Sequence, residues 1–231
     1  MLILRLDARF GAFRTFTAGS FRPTAPFITP SAAYGLLLNI AGIDMRYNDG
    51  KSVATLTQSK GLPSVDIALG VRGELPRQQS ILQQQHNYPV GASGKAYKAM
   101  ARGNKHNITP VRRAFLSGIH AYIALRADES LEKQVVKGLQ GEVPRAYGLP
   151  FIGDNSFLPD RLEVVEMETL EPAHWYERID KGKKAGLRAD ITRLTIRIDR
   201  VKMGMTKSSL FFPQQQASKE IPKRAWVSVA Y

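Results

Sequence analysis

The chain has 231 residues, of which 43% are hydrophobic and 23% charged, the balance of a globular protein rather than a disordered one. It holds no cysteine, which excludes disulfides, thiolate metal centres and a cysteine nucleophile. Its 33 Lys and Arg against 20 Asp and Glu give a formal charge of +13 and a pI near 10.1. Such a surface suits a polyanion, nucleic acid first and an anionic membrane second.

Leu2, Leu4 and Leu6 alternate with Ile3, Arg5 and Asp7, which predicts an opening strand. An irregular segment rich in Phe, Arg, Thr and Gly follows over 10–27. Thr29-Pro30-Ser31 then starts a helix through Ala32–Ala41, with Thr29 as cap, Pro30 in the first turn and Gly42 as terminator. Val65–Val71 is a second strand. Ile119, Ala121, Ile123 and Leu125 mark a third, with His120 and Tyr122 on its other face. A helix is predicted over Ser130–Leu139, capped by Ser130. Leu162–Glu168 and Ile191–Val201 are further strands, and Lys223–Tyr231 is placed to close a sheet. The charge early in the first strand is unlike a signal-peptide core, and the apolar run near 32–43 is too short to span a bilayer. A soluble, cytoplasmic protein is expected.

The β-α-β, long insertion, β-α-β order predicts an α+β fold. It is a ferredoxin-like (RRM-like) unit over 1–165, with a basic arm at about 86–115 inserted before its third strand. A smaller, β-rich portion is expected over 166–231.

The charge is unevenly spread. Between Glu74 and Asp128 there is no acid, while Arg77, Lys95, Lys98, Arg102, Lys105, Arg112, Arg113 and Arg126 all fall there. Gly91, Gly94, Gly103 and Gly118 dot the same stretch. Ordinary solvated faces mix both signs, so this run reads as an arm for a phosphate backbone. The alternative is a basic loop with no partner. Another excess of cations lies between Arg178 and Arg224.

Catalytic chemistry has thin support. His86, His106, His120 and His174 show no metal-ligand spacing, and no P-loop, G-x-G-x-x-G or G-x-S-x-G is present. No cofactor is implied. One enzyme reading stays open: Lys105-His106, near Tyr88, Tyr97 and His86, has the residue types for metal-independent RNA cleavage. The same residues can instead hold phosphates and stack on bases. Candidate RNA ligands are Arg14, Arg22, Tyr34, His86, Tyr88, Lys95, Lys98, Arg102, Lys105, His106, Arg112 and Arg113. Tyr34 lies early in its helix, near amides that favour an anion, although a core position is equally open. Phe10, Phe13, Phe16, Phe21 and Phe27 interleave with Arg9, Arg14 and Arg22, a mixture that can cradle a single strand, with at least half of these rings expected in the core. Gly148–Asn155 is a turn-rich loop that either approaches a phosphate or makes a tight structural turn.

The residues Leu4-Arg5-Leu6 and Phe13-Arg14, then Pro30-Ser31-Ala32-Ala33-Tyr34-Gly35-Leu36-Leu37 through Gly42, resemble the Cas-five family of RAMP-type subunits of type I CRISPR Cascade complexes. His86-Asn87-Tyr88 and Leu149-Pro150-Phe151-Ile152-Gly153-Asp154-Asn155-Ser156-Phe157 resemble later blocks of that family. The resemblance implies an RRM-like domain with a thumb hairpin and a small β-rich C-terminal part. It implies a non-catalytic role in antiviral defence, gripping the 5′ handle of the CRISPR RNA and capping the backbone filament. The implied partners are the crRNA, the Cas-seven backbone subunit and the large Cascade subunit, with target DNA met only through the complex. One family branch cuts precursor CRISPR RNA with a Tyr/Lys/His set, which keeps endoribonuclease as the alternative. A generic single-stranded RNA-binding module is the second alternative.

Overall fold

A computed structural model describes residues 1–15, 21–47, 57–58, 61–87, 107–145, 148–179, 190–199 and 203–231. In chain order the elements are β1 (Leu2–Gly11), β2 (Phe21–Arg22), α1 (Pro30–Ile40), β3 (Arg46–Tyr47), β4 (Thr57–Gln58), β5 (Val65–Val71), β6 (Arg77–Asn87) and β7 (Asn107–Arg126). There follow α2 (Glu129–Leu139), β8 (Arg161–Val164), β9 (His174–Arg178), β10 (Thr192–Arg197), β11 (Lys207–Pro213) and β12 (Val227–Val229). Short 3-10 turns lie at Met167–Thr169, Met203–Met205 and Lys223–Ala225. The fold is α+β, a mostly antiparallel sheet with few helices.

The sheet runs β10-β11-β9-β5-β7-β1-β8, with β12 also on β5 and β2 and β6 also on β7; β3 and β4 pair separately. Alternation in β1 decides the two sides. Leu2, Leu4, Leu6 and Ala8 point into the larger core with Ile67, Leu69, Ile123 and the apolar side chains of α1. Ile3, on the other side, packs with Ala68, Ala124, Trp175 and Ala225. Both faces of the central strands are thus covered at that end, the second by the chain after residue 165.

The α1 start is as the sequence predicts. Thr29 caps it, its hydroxyl accepting from the Ala32 amide, and Gly42 leaves it at a φ of 72°. The cap of α2 is Asp128 rather than Ser130, because the Asp128 carboxylate accepts from the Leu131 amide at 2.7 Å. The strand expected over 162–168 stops at Val164, since Met167–Thr169 turns instead. That expected over 191–201 spans Thr192–Arg197. Among the described residues no helix is long and apolar enough to cross a membrane.

The third expected strand is far longer than its apolar pattern. β7 begins at Asn107 and pairs with β6 from Asn87–Asn107 to Arg77–Ser117, then with β1 from Gly11–Leu116 to Leu2–Leu125. Gly118, at a φ of 69°, interrupts the alternation. Ile119, Ala121, Ile123 and Leu125 face the larger core, and so does Leu116, an odd step away.

Candidate nucleic-acid interface

The junction of β1, β7 and the loop after Gly148 is built around Asp154. Its side chain is 5% exposed, and one carboxylate oxygen lies 2.7 Å from Arg113 Nη2 and 3.0 Å from Arg14 Nη2. Burial alone would raise this carboxyl, but the Ser156 amide and the Arg113 guanidinium hold it below the usual carboxylate value. The loop closes on itself: Ile152 N–H donates to Phe157 O at 2.7 Å, and Phe157 N–H to Asp154 O at 3.0 Å. It also grips the end of β1, with Ala12 N–H donating to Ile152 O at 3.2 Å. Gly153, at a φ of 73°, leaves no room for a Cβ against the Ala12 carbonyl and the Phe13 ring. Of the two roles open to Gly148–Asn155, these bonds give the tight structural turn. They hold Phe13-Arg14 in place.

Rings stack beside this clamp. The Arg113 guanidinium lies 4.9 Å from the centre of the Phe157 ring, Phe157 stacks on Phe115 at 6.2 Å, and Phe10 meets Phe115 edge-on at 5.6 Å. Phe13 and Phe27 are core, 3% and 0% exposed, whereas Phe10 and Phe21 are nearly half exposed. Phe16 lies outside the described residues.

Beyond the clamp, β2 runs parallel to β7, with Phe21 opposite Arg112 and Arg22 opposite Arg113. On β7's other flank Leu82 is opposite Arg112 and Ile81 opposite Arg113. Residues in direct register share a face and neighbours along a strand alternate. Arg112 is therefore exposed on one side, while Arg113 is buried on the other beneath Phe157.

The candidate ligands sort accordingly. Arg14, Arg22, Arg112 and Arg113 are brought together, but Arg113 serves Asp154, and Arg14, though 61% exposed, pairs with it as well. Tyr34 takes a core position, the second of its two readings: it is fully buried, its hydroxyl donates to Pro63 O at 2.7 Å, and its ring stacks on Tyr231 at 5.1 Å. Burial pushes its hydroxyl pKa up, so it stays neutral and internal. His86 lies near the far end of β6, opposite Ile108. Tyr88, Lys95, Lys98, Arg102, Lys105 and His106 lie outside the described residues, as does Tyr97.

A second polar cluster, which no sequence motif marks, lies on the side of the sheet away from α1. Asp7 accepts from Arg5 Nε at 2.9 Å, bonds His120 Nδ1 at 2.7 Å and pairs with Arg72, whose other nitrogen reaches Glu171 at 3.2 Å. Burial would raise the Asp7 carboxyl, but His120, Arg5 and Arg72 hold it low. Only the strand register, Asp7 opposite His120, unites residues so distant in sequence.

Residues 1–215 match the family model described as "CRISPR-associated protein (Cas_Cas5)". The fold is similar to a solved structure described as "CRISPR RNA-guided surveillance complex", with a TM-score of 0.57 and 12% identity, covering 94% of this chain and 90% of that one. A looser likeness is to one described as "Crystal structure of Cas protein", with a TM-score of 0.43 and 14% identity, covering 94% and 93%. A comparison with curated proteins gives no match.

Proposed function

This chain belongs to the CRISPR-associated Cas-five family, and on that premise we propose that it is a non-catalytic subunit of a CRISPR RNA-guided surveillance complex, gripping the 5′ handle of the CRISPR RNA. The observation that carries this reading is the β6–β7 ladder. It leads out from the core to residues 88–106, which hold Lys95, Lys98, Arg102 and Lys105 and no carboxylate. Polyanion binding needs only such a concentration of one charge sign on an extended support. In this reading the ladder and the residues it carries form the thumb.

The central strand order β5-β7-β1-β8, with α1 between β1 and β5 and α2 between β7 and β8, supports a ferredoxin-like unit over 1–165. The portion over 166–231 extends that sheet from β5. The other partners in this reading are the Cas-seven backbone subunit and the large subunit, with target DNA reached through the assembly.

Affinity purification from cells carrying the whole CRISPR locus, followed by RNA sequencing, tests the reading. The expected product is one discrete short RNA with a repeat-derived 5′ end, together with partner subunits. Heterogeneous RNA without partners would favour a generic single-stranded RNA module instead.

A further inference from the structure

Phe21, Arg112 and Leu82 form one row across three neighbouring strands. Arg112 on β7 is directly opposite Phe21 on β2 and Leu82 on β6. The three side chains share one face, with strands about 4.8 Å apart. All three are exposed, Phe21 by 44% and Leu82 by 77%. On the opposite face Arg113 is covered by Phe157 and Asp154, while Ile81, its register partner on β6, is 47% exposed. An aromatic ring, a guanidinium and a branched aliphatic side chain are thus exposed side by side, on a strand covered from behind at Arg113.

Their electrostatic setting says what fits. On the central strands Arg5 and Arg72 pair with Asp7 and Arg161 with Glu163, while Arg126 lies 3.9 Å from the centre of the Trp226 ring. Arg112 has no ion pair among the described residues, and no acid occurs in the sequence from Leu75 to Ala127. An apolar protein surface would leave this guanidinium unpaired on burial, at a cost. An unpaired nucleobase would not, because it stacks on an aromatic or guanidinium plane while its phosphate meets the positive charge.

We infer that the row Phe21–Arg112–Leu82 is a stacking site for an unpaired base of single-stranded RNA. It lies on the β2–β7–β6 extension rather than on the central face of the sheet. The inference rests on the proposed CRISPR RNA reading and deepens it. Phe21 supplies the stacking plane, Arg112 supplies charge and a second planar surface, and Leu82 closes the outer edge.

Fluorescence anisotropy with a labelled, repeat-derived single-stranded RNA tests this across a salt series. Phe21→Ala is expected to weaken binding by about 5- to 150-fold, the range for one lost base stack, with the salt slope unchanged. Phe21→Trp is expected to restore binding. Arg112→Ala is expected to weaken binding and make the slope shallower by about 0.7. Leu82→Ala gives a variant on an exposed outer strand, in case Phe21→Ala unfolds, and is expected to weaken binding at unchanged slope. Wild-type binding matched by Phe21→Ala and Leu82→Ala to within about twofold would overturn the stacking site and leave the CRISPR RNA reading standing. Unchanged RNA affinity with loss of co-purifying subunits would overturn it in favour of a protein interface. Failure of the wild-type protein to bind this RNA would overturn both.

Discussion

Arg113 and Asp154 form a buried ion pair at 2.7 Å, with side chains 10% and 5% exposed. The pair fastens the loop after Gly148 to the strand that carries the proposed RNA site. Removing one member of a buried pair strands the other's charge, which typically costs about 3–5 kcal/mol. Asp154→Ala is expected to fall in that range by urea unfolding. Arg14 shares the same carboxylate but is 61% exposed, so Arg14→Ala is expected to cost less than about 1 kcal/mol. Equal losses would mean that the clamp is not organised around Arg113.

Asp7 and Asp154 are both held below the ordinary carboxylate value in the folded chain. A depressed carboxyl stabilises the fold fully above its unfolded pKa, about 3.9. That stabilisation disappears as pH falls through the lower folded value. Urea midpoints are therefore expected to hold from pH 7 to about 5 and drop below about 4 as these carboxyls protonate. Asp154→Asn should lower the midpoint at neutral pH and shrink the acid-induced drop. An acid-induced drop of undiminished size would exclude Asp154 as a contributor.

The helices α1 and α2 meet where Gly138 faces the carbonyl of Ile40. A Cβ at Gly138 would fall far inside contact distance of that oxygen, which is backbone and has little freedom to move. Alanine gains helix propensity of about 1 kcal/mol over glycine in an unobstructed helix. Overpacking at this contact is expected to override that gain, so Gly138→Ala should be net destabilising by about 1–3 kcal/mol. A raised melting temperature would show that the helices separate freely.

Tyr34→Phe removes a buried hydroxyl that donates to Pro63 O. The expected cost is about 1 kcal/mol, read as a lowered melting temperature, with RNA affinity unchanged. Loss of affinity at constant stability would return Tyr34 to the binding site.

The legible parts of the fold are an alternating strand, a capped helix and a short apolar run. β1 showed itself through Leu2, Leu4 and Leu6, α1 through Thr29, Pro30 and Gly42, and β5 over the observed Val65–Val71. β6 left no signal, because its glutamines are exposed and only its pairing with β7 makes it a strand. The first half of β7 was hidden behind Gly118, where the alternation breaks. At the candidate site, Arg14, Arg22, Arg112 and Arg113 were recognisable by type and local charge. Their division into clamp and open face was not, since it depends on Asp154 arriving from a distant loop. Nor could the sequence show that Phe21 and Leu82 flank Arg112, a fact of strand register alone.

The central claim, that the protein binds CRISPR RNA without cutting it, is tested most directly with a labelled repeat RNA. The RNA is incubated with purified protein at neutral pH, with and without EDTA, then resolved on native and denaturing gels. The account predicts a salt-sensitive complex from which the RNA is recovered at full length in both conditions. A single site-specific cut that persists in EDTA and disappears in His106→Ala would contradict it.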